Sequence, residues 1–214
     1  SISHHEWYTR LGKKLISLLS EFASDGFVFR VDMRLRPNGD SGPLVCSLGM
    51  LEEYFSVQGR EWERYAWIKG RMIYPPEQDV TYPRLFKGLQ DLVRPFVYRR
   101  YLDFGVIAAI RELHGQIQQE AEKRSLAHPE RAADIKLGRG GIREIEFMAQ
   151  MFQLVRGGQD PGLRIRPTLE VLSAVYARQL LSEADLEQLT QAYDYFRKLE
   201  HRLQYWEDAQ THHL

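Results

Sequence analysis

The stretch SEADLEQLTQAYDYFRKLEHRLQYW (residues 182–206) decides the class of this fold. Ser182 and Asp185 have the spacing of a helix N-cap. Leu186, Leu189, Tyr193, Phe196, Leu199, Leu203 and Trp206 then return at intervals of three and four, which places them on one face of a helix. The pattern predicts a helix over 183–209 that buries one stripe against other helices. Further helices are predicted upstream near 84–93, 96–124, 141–156 and 167–180. Shorter apolar faces precede them, one from Leu48, Leu51, Tyr54 and Phe55, the other from Trp62, Tyr65, Ala66, Ile68 and Met72. The first helix opens with Ser3 and Glu6 at capping-box spacing. It carries Trp7, Leu11, Leu15, Leu18 and Phe22, and is predicted to stop at Asp25-Gly26.

The rhythm changes once. From Phe27 to Leu35 apolar and polar residues alternate as in a strand, a cluster of turn residues runs from Pro37 to Pro43, and Leu44-Val45-Cys46 has the makings of a return strand. The expected fold is therefore mainly α with a small β part (α+β), ending in an antiparallel helical bundle. The proline-rich stretch from Pro75 to Pro83 is the expected boundary, between residues 1–75 and the all-helical 76–214.

With 29 Lys+Arg against 29 Asp+Glu the net charge is zero, which argues against a generally basic nucleic-acid binder. A 43% hydrophobic share excludes disorder, and no apolar run is long enough to span a membrane. The single Cys46 has no internal disulfide partner, so the expected setting is reducing and cytoplasmic and the thiol's expected role is a small buried hydrophobe. The chain starts at Ser1, not Met, and enters helical pattern almost at once, so it reads as a piece of something longer.

Four segments carry chemistry. In Val31-Asp32-Met33-Arg34-Leu35-Arg36, strand periodicity puts Asp32, Arg34 and Arg36 on one face. A carboxylate beside two guanidinium groups suits Mg²⁺ and phosphate oxygens; it also suits a salt-bridged edge strand. In Lys136-Leu137-Gly138-Arg139-Gly140-Gly141-Ile142-Arg143, glycines precede a helix start among Lys136, Arg139 and Arg143. An anion site and a plain loop-to-helix junction both fit. The run Gly59-Arg60-Glu61-Trp62-Glu63-Arg64-Tyr65 reads as a solvated, salt-bridged face, with Lys69 and Arg71 beyond it as phosphate candidates. Arg94 to Tyr101 mixes arginines with aromatics and reads as core aromatics with snorkelling guanidinium groups. His4-His5 and His212-His213 are adjacent pairs that share no helix face, which argues against zinc.

The strings VDMRLRPNGDSGPLV (31–45), GREWERYAWIKGR (59–71), RPFVYRRYLDFGVI (94–107) and IKLGRGGIREIEF (135–147) resemble bacterial glutamine synthetase adenylyltransferase, also called the adenylyl-removing enzyme. The resemblance runs in order over nearly the whole chain. It implies a bifunctional protein with two nucleotidyltransferase halves, one adding AMP from ATP to a tyrosine of glutamine synthetase and one removing it by phosphorolysis to release ADP. The GDSGPLV and REWERY runs are more similar to the N-terminal, deadenylylating half. Residues 1–75 would then be the end of a catalytic domain, a remnant of a nucleotidyltransferase-type sheet. Asp32 would be catalytic and hold Mg²⁺. Arg34, Arg36, Lys69, Arg71, Lys136, Arg139 and Arg143 would contact nucleotide (ATP, ADP or AMP) or phosphate. The partners implied are glutamine synthetase and the nitrogen-regulatory PII protein, with neither nucleic acid nor membrane. The family's Asp-x-Asp pair is absent from these 214 residues, so the fragment alone is expected to be inactive. Two other readings stand beside this one: a helical module that docks glutamine synthetase or relays regulation, and the adenylylating half of the same family.

Overall fold

Local capping starts the first and last helices where the sequence predicts, while the helix expected from residue 96 begins only at Phe104. Ser3 Oγ accepts the Glu6 amide at 3.2 Å and opens α1 (His4–Ser20). Ser47 Oγ does the same for Met50 at the head of α2 (Leu48–Val57). Ser182 Oγ accepts the Asp185 amide at 3.1 Å and opens α8 (Glu183–Glu207). The remaining helices are α3 (Glu61–Ile68), α4 (Tyr82–Val97), α5 (Phe104–Ala127), α6 (Ile142–Arg156) and α7 (Thr168–Tyr176). The structure is a computed structural model and describes residues 2–22, 24, 26, 29–73, 82–101, 104–127 and 134–207.

The expectation of a mainly helical protein holds, but its strands are not found among the described residues. Residues 29–46 run as extended segments, turns and a short 3-10 turn (Gly39–Ser41), and the described residues hold isolated bridge positions only, at Gly26 and Asp134. Phe27, Val28 and most of the loop from 75 to 83 lie outside the described residues. A strand needs a neighbour for its N–H and C=O groups, and alternation of side chains does not supply one. Cys46, expected inside, is exposed.

Other boundaries moved for physical reasons. The break expected at Arg94-Pro95 falls later, because Pro95 sits in the last turn of α4, and that helix ends at Val97, where Arg64 takes the final carbonyls. α7 stops at Tyr176, short of the expected 180, where Gln179 takes a left-handed φ of 59° and the Leu180 amide turns back to Val175 O. α1 buries none of its residues, and Leu15, Leu18 and Phe22 of its apolar stripe are exposed.

α6 is central. On one side Phe147 and Leu154 pack with Ile68, Phe96, Val97 and Ile110; on the other, Ile145 and Ala149 pack with Leu163, Val171, Leu172 and Val175. Helices α3 and α5 thus meet one side of α6, with α4 packed on α3 and adding Phe96 and Val97 to the shared core, and α7 and α8 meet the other. Between the two stripes, Gln153 is wholly buried and donates from Nε2 to Leu163 O at 2.7 Å and Ile165 O at 2.6 Å. These bonds pin the segment between α6 and α7, so both cores share one rigid wall.

Candidate functional site

Asp32 and Arg34 form an exposed bidentate pair. Arg34 Nε donates to Asp32 Oδ1 at 3.0 Å and Nη2 to Oδ2 at 2.6 Å, while the Arg34 amide donates to Oδ1 at 3.0 Å. These bonds from Arg34 hold the carboxyl at about 2, below its ordinary 3.8, so it remains ionised. Arg36 is used differently. It donates to Met33 O at 2.9 Å, Asp40 O at 3.1 Å and Gly42 O at 3.2 Å, and so ties the turn together from inside. A Cβ at Gly42 would collide with Pro37 O. The expected shared face of three groups is thus a pair, Asp32–Arg34, standing on a loop that Arg36 braces.

The glycine segment before α6 is a closed junction. The amides of Gly138, Gly141, Ile142 and Arg143 donate to Asp134, Gly138, Ile135 and Lys136 carbonyls. Glu144 reaches back to accept the Gly140 amide at 2.9 Å, and Gly140 takes a φ of 76° that glycine accommodates. The donors that an anion would need at this helix start are already used, so only the exposed side chains of Arg139 and Arg143 face outward.

A charged seam runs between α3, α6 and α8. Glu200, 2% exposed, receives Lys136 Nζ at 3.1 Å and Arg197 Nη1 at 2.5 Å. Tyr193 Oη donates to Glu146 Oε1 at 2.9 Å. Lys69 Nζ donates to Arg166 O at 2.6 Å and Thr168 Oγ1 at 2.9 Å, joining the end of α3 to the start of α7. Desolvation there pushes the Lys69 ammonium down, against the attraction of Glu146, and Arg197 adds to the lowering. Beside it, burial raises Tyr65 to about 12, with Arg143 opposing. The seam therefore gathers Lys69 and Lys136 from the sequence candidates, with the exposed Arg143 near enough to act on Tyr65. It adds Arg197, Glu146 and Glu200, which on sequence alone look like helix surface, and Tyr193, which the sequence places on the buried stripe of the last helix. No hydrogen bond or ion pair among the described residues joins Asp32 or Arg34 to it. Arg71 stands on the rim of a separate cleft between α3 and α4.

The run expected to be a solvated charged face is largely buried. Arg64 is 0% exposed; its Nε donates to Phe96 O and its Nη2 to Val97 O, both at 2.9 Å, and Nη1 pairs with Glu61. Glu63, also buried, accepts Tyr54 Oη at 2.6 Å and the Arg60 amide at 2.8 Å. Desolvation lowers the Arg64 pKa, yet its three partners hold the guanidinium in place as the cap of α4.

Asp32 offers the hard, ionised oxygens that Mg²⁺ takes, but among the described residues no group of three metal-capable side chains exists. These residues by themselves do not fit a magnesium site.

Comparison with known proteins adds the decisive observation. The chain is 66% identical to the bifunctional glutamine synthetase adenylyltransferase/adenylyl-removing enzyme of Burkholderia mallei, over 99% of the chain and 23% of that protein. It is 62% identical to the enzyme of the same name from Ralstonia nicotianae, over 100% of the chain and 23% of that protein. The chain belongs to this family. The one from Neisseria meningitidis is 50% identical over 99% of the chain and 22% of its own length. The chain thus spans less than a quarter of the length of these relatives. A family model described as glutamate-ammonia ligase adenylyltransferase matches residues 1–85, and one described as GlnD PII-uridylyltransferase matches residues 111–214. The first covers the Asp32–Arg34 pair and Lys69; the second covers the α6 junction and Glu200. No helix among the described residues is long and apolar enough to cross a membrane.

Proposed function

We propose that this chain is part of a cytoplasmic enzyme that regulates glutamine synthetase, removing AMP from its adenylylated tyrosine by phosphorolysis and releasing ADP, while the complete protein also adds AMP from ATP. The observation that carries this reading is the 66% identity over 99% of the chain to a relative named for both activities. Residues 1–75 are the end of a nucleotidyltransferase domain, whose sheet forms when its other strands are present, and residues 76–214 are the helical domain that follows. Asp32 is the carboxylate we assign to the metal and to catalysis. Its exposed partner Arg34, 74% accessible, is the guanidinium we assign to phosphate oxygens. Arg139 and Arg143, whose side chains are exposed, are the ones we assign to nucleotide or phosphate, whereas Lys136 is held by Glu200 and Arg36 and Lys69 hold backbone carbonyls. Mg²⁺ and nucleotide belong to the complete enzyme. The PII protein is a partner we assign to residues 111–214, on the strength of the PII-uridylyltransferase description there.

The fragment alone is inactive in this reading, because among the described residues Asp32 belongs to no group of three metal-capable side chains that could share the charge of a transferring phosphoryl group. The test is phosphate-dependent release of ADP from adenylylated glutamine synthetase. Asp32→Asn in the complete protein abolishes it while the thermal midpoint stays put, and the 214-residue chain shows none. Full turnover by Asp32→Asn, or by the isolated chain, overturns the assignment. Loss of AMP addition with phosphorolysis intact moves the chain to the adenylylating half.

A further inference from the structure

A cleft of about 570 Å³ lies between the end of α3, the flank of α4 and residues 161–166. Its floor is aromatic and aliphatic. Phe86, Leu89, Gln90, Val93 and Arg94 follow one another at i, i+3, i+4, i+7 and i+8, a stripe of about 12 Å along α4. Trp67 and Tyr98 close the stripe from the far side. Val93, Trp67 and Tyr98 also pack against the first core, so the floor is anchored in the protein interior. The rim is cationic: Arg71, Arg94, Arg164 and Arg166 line it, and no Asp or Glu does among the described residues. Arg164 is fixed, donating to Gly157 O at 2.6 Å and lying 5.4 Å over the Tyr98 ring. Arg71, Arg94 and Arg166 are exposed, and none of their guanidinium groups has a hydrogen-bond or ion-pair partner among the described residues.

In a chain of zero net charge, four arginines around an apolar groove with no carboxylate lining it among the described residues are a concentrated excess of one sign. An apolar stripe of helical period, two turns long, is the shape that receives another helix. We propose that this cleft docks an acidic amphipathic helix of a partner protein, with its apolar residues on Phe86, Leu89 and Val93 and its carboxylates on Arg71, Arg94 and Arg166. The proposal is independent of the nucleotide chemistry assigned to Asp32. The charges set the approach and the register, and the floor supplies the anchor.

The probe is a fluorescein-labelled peptide of about 15 residues, with Leu and Phe on one helical face and Glu on the other. It is titrated against the full chain by fluorescence anisotropy. Saturable binding is expected, weakening as salt rises. The variant R71E/R94E/R166E is expected to weaken it about tenfold or more, and R71Q/R94Q/R166Q to weaken it less. Because these guanidinium groups hold nothing in the fold, both variants keep the parent thermal midpoint. A scrambled peptide of identical composition is expected to bind about tenfold more weakly, which separates a fitted helix from mere charge attraction. Equal binding by the scrambled peptide, unchanged binding by both variants, or no saturable binding overturns the proposal. So does displacement of the peptide by ADP, which would make the cleft a nucleotide site.

Discussion

Replacing Arg64 with methionine removes a buried guanidinium and leaves a side chain of similar reach. In the native fold Nε and Nη2 satisfy Phe96 O and Val97 O, on residues 7% and 1% exposed, each at 2.9 Å. Both carbonyls end α4 and have no further amide within the helix to receive. Leaving each unsatisfied costs about 1–3 kcal/mol, and the desolvation of the guanidinium, no longer incurred, returns part of that sum. Glu61 is not stranded, since Arg99 Nη1 stays 3.4 Å away. The expected net loss is about 3 kcal/mol, which at a slope of about 2 kcal/mol per M lowers the urea midpoint by about 1.5 M. Arg64→Lys, with a single ammonium where a planar fork spans two carbonyls, loses roughly half as much. Arg139→Met, at an exposed position without a side-chain partner among the described residues, shifts stability by less than about 0.5 kcal/mol. An Arg64→Met midpoint within about 0.3 M of the parent would refute the idea that this guanidinium caps α4.

Two further predictions concern the loop that carries Asp32. Carbon-detected NMR of the Asp32 carboxyl in the full chain should show titration near 2, returning toward its ordinary 3.8 in Arg34→Ala. Because the folded value is the lower one, the small stabilisation from this exposed pair is present above pH 3.8 and is lost as pH falls toward 2, and it is too weak to move the thermal midpoint. A titration that Arg34→Ala leaves unmoved would show that Arg34 is not the cause. Gly42→Ala pushes a methyl group into Pro37 O and should displace the Arg36-braced turn at a cost of about 1–3 kcal/mol, read by thermal unfolding. A variant as stable as the parent would show that the turn yields without cost.

What could be read from sequence was what neighbours along the chain determine. The Ser3 and Ser182 caps and the periodic face of α8 needed only three- and four-residue spacing, and they formed as expected. Asp32 and Arg34 met because they are two residues apart. What escaped depends on partners far along the chain. Arg64 and Glu63 have the alternating charges of a solvated face, and only the carbonyls of Phe96 and Val97, more than thirty residues on, draw Arg64 inside. Glu200 resembles a surface member of an i, i+3 pair with Arg197 until Lys136 arrives across the seam. The glycines before α6 suggested an anion cradle, and the back-bonds from Asp134 to Lys136 that close it follow no short motif. The strand pattern from Phe27 onward carries alternation but not the ladder partner that would fix it.

The position of α6 has a mechanical consequence. A helix that forms a boundary for two cores cannot be shifted to suit one without disturbing the other, so its two sides report the same displacement with opposite sign. Its N-terminal end is held by the short loop carrying Arg139, and Lys136 fastens that loop to α8. A pull on that loop is thus felt on both sides of the partition at once, by the end of α3 beside Lys69 and by α7 behind Thr168. The helix acts as a beam clamped at one end, and the clamp is an ion pair that a phosphate-bearing ligand is chemically equipped to compete for.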